Sequence, residues 1–398
     1  MKQSWDIKKI AEIGTVFNGN SINAKVKKEK YTNLEEGLPY IATKDISYES
    51  VIDYDNGVKI PDEDKPSFKI ASKNTILICA EGGSAGRKIA FTDQEVCFGN
   101  KLFALSTTDK VNSRFVYYYY FSPQFQEDFA SQLTGIIGGV SMAKFKKLKV
   151  PLPSPIEQQR IVEILDKAFV AIDKARQNAE QNLKNAQEVF ENHLNNLFEN
   201  PSKDWDVFEL NDICTKITDG VHKKPNYVAS GVPFIKINNL TDGLGISFDN
   251  VSYITQEDHE LFCQRTKPER GDILITKDGT IGVVRIIETD IEFSIFVSVA
   301  LIKPKSKEIT PFLKYILISP LIQNQIKPQG AALKHLYLRD LRKYKIPIPP
   351  VDVQKSIVNQ LDTMSSKINN AKNIYQQKIN NLDELKRSTL QKAFECEL

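Results

Sequence analysis

The sequence predicts an α+β chain: two similar mixed α/β globular domains separated by a long antiparallel two-helix coiled coil, pseudo-twofold in arrangement. Three observations predict it. The segment KVPLPSPIEQQRIV at residues 149–162 returns as KIPIPPVDVQKSIV at residues 345–358, repeating Lys149, Pro151, Pro153, Gln158, Ile161 and Val162 at a fixed offset of 196. The 398 residues exceed what one hydrophobic core holds, because cores stop growing near about 250–300 residues. After each proline-punctuated segment no Pro or Gly occurs for about 40 residues, as an uninterrupted helix requires.

Taken in order, the elements divide the chain into a globular domain over 1–153, a long helix over 154–200, a second globular domain over 201–349 and a second long helix over 350–398. The duplication runs through both globular parts. SWDIKKIAEI at residue 4 parallels DWDVFELNDI at residue 204, and GLPYIATKDI at residue 37 parallels GVPFIKINNL at residue 231. TILICAEGGSAGRKIAF at residue 75 parallels DILITKDGTIGVVRII at residue 272. In both, a short β-branched apolar run (ILIC, ILIT) stops at an acid-plus-glycine turn, as buried strands do. SRFVYYYYFSP at residue 113 parallels TPFLKYILISP at residue 310; each run begins after a helix-starting residue and ends before Ser-Pro, which favours a short amphipathic helix with its aromatics in the core.

The long segments carry apolar residues in steps of three and four. In the first these are Ile161, Leu165, Ala168, Ile172, Ala175 and Ala179, continuing to Ala186 and Val189. In the second they are Ile357, Leu361, Met364, Ile368, Ala371 and Tyr375, continuing to Leu382 and Leu385. That is an a/d seam facing the other copy, with small residues opposite larger ones and polar Asn182 and Lys378 interrupting it at matching points. A helix of about 40 residues spans roughly 60 Å.

Composition is that of an ordinary globular protein, 41% hydrophobic and 26% charged with a net charge of +3. No apolar run approaches the roughly 20 residues of a membrane span, and the start lacks a secretory signal, so a cytoplasmic home is expected. The five cysteines, Cys79, Cys97, Cys214, Cys263 and Cys396, form no CxxC pair and read as reduced thiols.

Enzymatic constellations are missing from the pattern. The sequence contains no GxGxxG after a strand and no GxxxxGK[ST]. The only Pro-Pro, Pro349–Pro350, lacks the surroundings of an amino-methyltransferase tetrapeptide. PDEDK at residues 61–65 places its carboxylates side by side in a polar loop, where a metal nuclease draws them from separate strand positions. His193, His222, His259 and His335 are dispersed, and His259 with Cys263 makes two possible ligands, too few for a zinc site. No catalytic residue, metal ligand or bound cofactor is therefore expected of this chain.

Charge is uneven along the chain. Residues 131–149 carry four lysines and no acid, and residues 327–345 carry six Lys or Arg against one Asp, at matching places in the two halves. Two similar domains on a stiff spacer suit a partner with a regular repeat, and duplex DNA has one of about 34 Å per turn. For such a reader, cations position phosphates and polar side chains reach base edges. The first-half candidates are Lys27, Lys28, Lys44, Ser84, Arg87, Lys88, Lys101 and Lys144. Those of the second half are Lys223, Lys224, Lys236, Asn238, Asn239, Lys277, Thr280, Lys334 and Arg339. A self-contained DNA methyltransferase or endonuclease, and a coiled-coil scaffold binding only proteins, are the competing readings.

The twice-used PxP, Gln and Ile-Val run leading into a long helix resembles the "IPLPPLxEQxxI" segment of specificity subunits of type I restriction-modification systems. GLPYIATKDI, ILICAEGGSAGRKIAF and GVSMAKFKKLKVPLP are similar to the framework of their target recognition domains, and the likeness covers essentially the whole chain. The resemblance implies a non-catalytic subunit whose two target recognition domains bind the halves of a bipartite site in double-stranded DNA. It further implies two methyltransferase (M) subunits holding S-adenosylmethionine, restriction (R) subunits using ATP and Mg, a bacterial or archaeal cytoplasm, and an N-terminal segment packed near the C-terminal helix. Ala42 and Lys236 stand where the family often has Arg, and Val353 stands where it has Glu, whereas Glu157 is kept.

Overall fold

The computed structural model describes residues 5–135, 138–199, 201–326 and 335–395. It divides into two compact units, Met1–Ala179 with Gln377–Leu398, and Glu180–Gln376. Both units are built alike. In the first, strand Gly14–Asn18 pairs with Leu102–Thr107, which pairs with Ile76–Cys79, which pairs with Ile89–Phe91, all antiparallel. In the second, Cys214–Asp219, Val299–Pro304, Ile273–Thr276 and Val284–Ile286 repeat that order. A smaller sheet accompanies each, with one parallel pairing at matching places: Leu38–Ile41 beside Val96–Phe98, and Val232–Ile235 beside Ser294–Ile295.

The ILIC and ILIT runs are buried throughout because both faces of their sheet are covered. Ile76 and Ile78 enter a core shared with helices, whereas Leu77 and Cys79 enter a second core on the opposite face. Ile273 and Ile275 against Leu274 repeat the division. The period of two along a strand makes one sequence serve two cores. The short runs after them are helices, Ser113–Tyr119 and Thr310–Ile318. Their aromatics are core, as expected: Phe115, Tyr118, Tyr119, Tyr120, Phe312 and Tyr315 are buried.

The repeated PxP-Gln motif has a structural role in each unit. Its prolines lie in or just after a strand, Lys149–Leu152 or Lys345–Ile348, that pairs antiparallel with Asp6–Lys9 or Asp206–Glu209. The glutamine then folds back: Gln158 Nε2 donates to the Pro153 carbonyl at 2.8 Å, and Gln354 Nε2 to the Pro349 carbonyl at 2.8 Å. Gln158 is buried and also accepts the Asn112 N–H at 2.8 Å, tying the helix start to the domain. About two turns further, Tyr118 donates to Asp166 and Tyr315 to Asp362, again as a matched pair.

The long helices are Pro155–Glu199 and Val351–Phe394. In the first unit Asp173 pairs with Lys386 and Arg176 with Asp383; in the second unit His193 lies 3.2 Å from Gln360. In the first unit numbers rise along one helix as they fall along the other, so the pairing there is antiparallel. Ile161, Leu165, Ile172 and Ala179 are buried, and Ala168 and Ala175 half-buried; Ile357 and Leu361 are buried, and Met364, Ile368, Ala371 and Tyr375 half-buried. Their surroundings are wider than a seam facing the other helix: Ile161, Leu165 and Ile172 join the first domain's own core. Leu390 and Ala393 close that core from the chain's other end, and Phe394 meets Phe115, which in turn meets Trp5. The N-terminal segment and the C-terminal helix thus share one core.

Beyond Ala179 and Tyr375 the expected seam holds at Ala186 and Leu382, which are half-buried, and fails at its other positions. Val189 and Leu385 are 56% and 50% exposed, and Asn182 and Lys378 also face solvent. The stripe runs through Leu183, Ala186, Phe190 and Leu194, and through Ile379, Leu382 and Leu390, keeping Ala186 and Leu382 of the expected set. A straight helix turns every 3.6 residues and drifts about 20° per heptad against a strict 3.5-residue repeat, so the buried stripe steps forward by one position. The polar pair therefore flanks the seam and does not interrupt it.

Candidate nucleic-acid interface

Loops at one end of each central sheet gather the candidate side chains. In the first unit the loop 80–88, Lys101 and the segment 138–144 are joined by backbone bonds: Gly82 N–H to the Gly138 carbonyl at 2.7 Å, Ala80 N–H to the Lys101 carbonyl at 2.9 Å, and Val140 N–H to the Ala80 carbonyl at 2.9 Å. Gly82 takes φ +83°, a conformation that costs other residues but not glycine, and so lets the chain reverse after Glu81. Lys101 pairs with Glu81 at 3.0 Å, Lys88 Nζ donates to the Thr43 carbonyl at 3.0 Å, and Lys144 Nζ to the Gln132 carbonyl at 3.3 Å. Lys44 pairs with Asp45 at 2.7 Å and stays exposed. Ser84 and Arg87 belong to the same loop, and Arg87 donates to the Gly83 carbonyl. Lys27 and Lys28 lie apart from these loops, on helix Ala24–Lys30, with the Lys27 ammonium 5.3 Å from the Tyr40 ring.

The second unit repeats the placement with different chemistry. The Lys277 N–H donates to the Ser298 carbonyl at 2.9 Å, as Ala80 does to Lys101, and Asp278 bridges to His335 as Glu81 does to Gly139. Lys223, Lys224, Asn238, Thr280 and Arg339 are exposed. Lys236 Nζ donates to Ser252 Oγ at 3.0 Å and lies 4.7 Å from the Tyr227 ring centre. Lys334 lies outside the described residues.

Two candidates are not surface groups. Lys277 is 4% exposed and its ammonium is 2.6 Å from the buried Asp219 carboxylate, so it neutralises a core charge. Asn239 is 2% exposed; its Oδ1 accepts the Lys236 N–H at 2.9 Å and its Nδ2 donates to the Ser247 carbonyl at 3.1 Å, which spends its side chain on a turn. Neither is available to a ligand. A polar residue after an apolar strand is usually exposed, which is why their residue types alone point to the surface.

Reasoning from charge also missed several groups. Asp219 gathers Lys277, Arg265 and His222 (3.2 Å), and accepts through its carbonyl from Thr266. Burial by itself would raise the Asp219 carboxyl, but Lys277 and Arg265 outweigh it and hold the group below the usual carboxylate range. Tyr48 is exposed between Arg87 and Lys88. No motif marks these residues, since their partners come from distant positions in the chain. His259 and Cys263 do share a helix face, yet His259 Nδ1 lies 2.9 Å from Ser294 Oγ, which makes it a satisfied core histidine.

A sequence profile of the type I restriction modification DNA specificity domain matches residues 2–182 and again residues 202–380. The chain belongs to that family. It is similar over its length to the type I restriction enzyme EcoBI specificity subunit of Escherichia coli, with 26% identity, covering 99% of this chain and 86% of that protein. The MjaIX specificity subunit of Methanocaldococcus jannaschii is 24% identical over 94% of this chain and 89% of its own. Two solved structures share the fold. One is a chain from work on complex assembly and conformational transition of the type I R-M system (TM-score 0.79, 16% identity, 99% of this chain and 98% of that one). The other is the HsdS subunit from Thermoanaerobacter tengcongensis (TM-score 0.57, 18% identity, 99% and 97%). The chain is a DNA sequence-specificity subunit of a type I restriction-modification system, and subunits of that kind recognise without catalysing. Among the described residues no helix is long and apolar enough to cross a membrane.

Proposed function

We propose that residues 1–153 and 201–349 are two target recognition domains that each bind one half of a bipartite site in double-stranded DNA. Residues 154–200 and 350–398 then act as spacer helices that set the gap between half-sites and dock two M subunits. The M subunits bring S-adenosylmethionine, and the R subunits that join them bring ATP and Mg, in a bacterial or archaeal cytoplasm. What supports the reading is one observation: the same scaffold presents a loop cluster twice, with matched backbone bonds and different side chains. A duplicated frame with divergent tips suits the reading of two different short sequences. Of the candidates, Lys27, Lys28, Lys44, Ser84, Arg87, Lys88, Lys101, Lys144, Lys223, Lys224, Lys236, Asn238, Thr280, Lys334 and Arg339 remain proposed DNA contacts, cations for phosphates and the rest for base edges.

The test is to co-express the full chain with the M subunits of its system in a methylation-free host and to map adenine methylation. The expected mark is a split motif that vanishes when this chain is omitted. A mark that persists without the chain overturns the reading.

A further inference from the structure

The strands ending at Ile41 and Ile235 lead into the same turn. In the first unit Asp45 Oδ2 accepts the Ala42 N–H at 2.8 Å; in the second, Asn239 Oδ1 accepts the Lys236 N–H at 2.9 Å. Each turn opens into a loop, residues 46–51 and 240–247, and each loop holds large aromatic or apolar side chains in solvent: Tyr48 (56% exposed) and Val51 (63%) in the first, and Leu244 (76%) in the second. An exposed apolar residue is ordinary and by itself decides nothing. Tyr48 and Leu244 differ in that a neighbouring β-hairpin holds each of them, or its loop, in place.

Tyr48 has its hydroxyl 3.2 Å from Ser84 Oγ, and its ring is flanked by the Arg87 guanidinium at 5.6 Å and the Lys88 ammonium at 5.2 Å. Leu244 sits between Gly243 and Gly245. Arg285 donates to both glycine carbonyls, at 2.8 Å from Nη2 and 3.1 Å from Nε. Ser84, Arg87 and Lys88 lie in the connection between Ile76–Cys79 and Ile89–Phe91, and Arg285 lies on Val284–Ile286 of the equivalent hairpin. The two units thus spend polar groups of the same hairpin to steady the same loop.

We propose that these are the sequence-reading loops, with Tyr48 and Leu244 making the apolar contacts to bases of different half-sites. The inference rests on the proposed function and adds to it the residues that discriminate. A ring or branched side chain on a steadied loop meets thymine methyl groups or wedges into a base step, while Arg87 and Lys88 take the flanking phosphates. The cations beside Tyr48 favour a polyanion over a protein surface as the occupant. Tyrosine in one loop and leucine in the other give unlike base preferences from like geometry, which an asymmetric site requires.

The experiment uses the full chain assembled with its M subunits and three duplexes: the site mapped from methylation, and that site with either half scrambled. Tyr48→Ala is expected to weaken binding to the mapped duplex about tenfold, and to leave unchanged the binding to a duplex with one particular half scrambled. Leu244→Ala is expected to do the same for the other half. Tyr48→Phe, which keeps the ring, stays within about twofold of wild type, and Arg87→Gln weakens all three duplexes and lowers the salt slope by about one. A wild-type complex with no preference for the mapped site defeats the functional reading itself. If wild type discriminates and both alanine variants keep its full ratio, or if they impair assembly with M while the assembled fraction still discriminates, the loop assignment is wrong and the function stands.

Discussion

At the residue scale, the second unit buries the Asp219 carboxylate against the Lys277 ammonium. Asp219→Asn leaves the Lys277 ammonium buried beside a neutral amide, so the expected cost is about 3 kcal/mol, measured by urea unfolding. The sign of the pH effect follows from the lowered carboxyl: its stabilisation is fully present above the unfolded value near 3.9 and is lost as pH falls below that towards the folded value. The variant should therefore show a shallower acid limb than wild type below about pH 4. Thiol reactivity is a second residue-scale outcome. Burial pushes the Cys97 thiol up to about 11 and Cys214 up to about 12, and Cys79 is also raised, so alkylation at pH 8 followed by mass spectrometry should leave all three unmodified until the chain unfolds. Of the cysteines expected to be reduced, Cys79, Cys97, Cys214 and Cys263 are free thiols, and Cys396 lies outside the described residues. The Asp219 cluster was not legible in the sequence, because its members lie up to 58 positions apart and nothing local marks them.

At the element scale, each long helix is bolted to its own domain near its start. Tyr118→Phe and Tyr315→Phe each remove a hydrogen bond to a carboxylate, and each should cost about 1.5 kcal/mol in the unfolding of its own unit. The register of the stripe gives a sharper comparison. Ile379→Ala removes a buried side chain and should cost about 2 kcal/mol or more, whereas Leu385→Ala, on a half-exposed position, should cost under about 0.5 kcal/mol. The opposite order in thermal unfolding would restore the strict heptad. Apolar spacing made the helices legible over their whole length, since Pro and Gly are absent and apolar steps of three and four persist. The same spacing could not choose between Val189 and Phe190, which are adjacent, because an angular drift accumulates only in a real helix packed against real neighbours.

At the scale of the whole molecule, the proposed spacer makes a mechanical prediction. Inserting seven residues into both helices, after Ala179 and after Tyr375, lengthens each by about 10 Å, the rise of roughly three base pairs. The methylated motif should then keep both half-sites and gain about three base pairs in its gap, read by methylation mapping. An unchanged gap would show that the helices do not set the distance.

The amino-acid order alone determined the duplication, the two long helices, the buried strands and the family likeness, because each rests on periodicity or on letters repeated at a constant offset. Only the folded chain decided that Lys277 and Asn239 are spent inside the second unit while Tyr48 and Leu244 are held outside. Exposure is a property of what surrounds a side chain, and at these four positions the surroundings come from strands and loops tens of residues away.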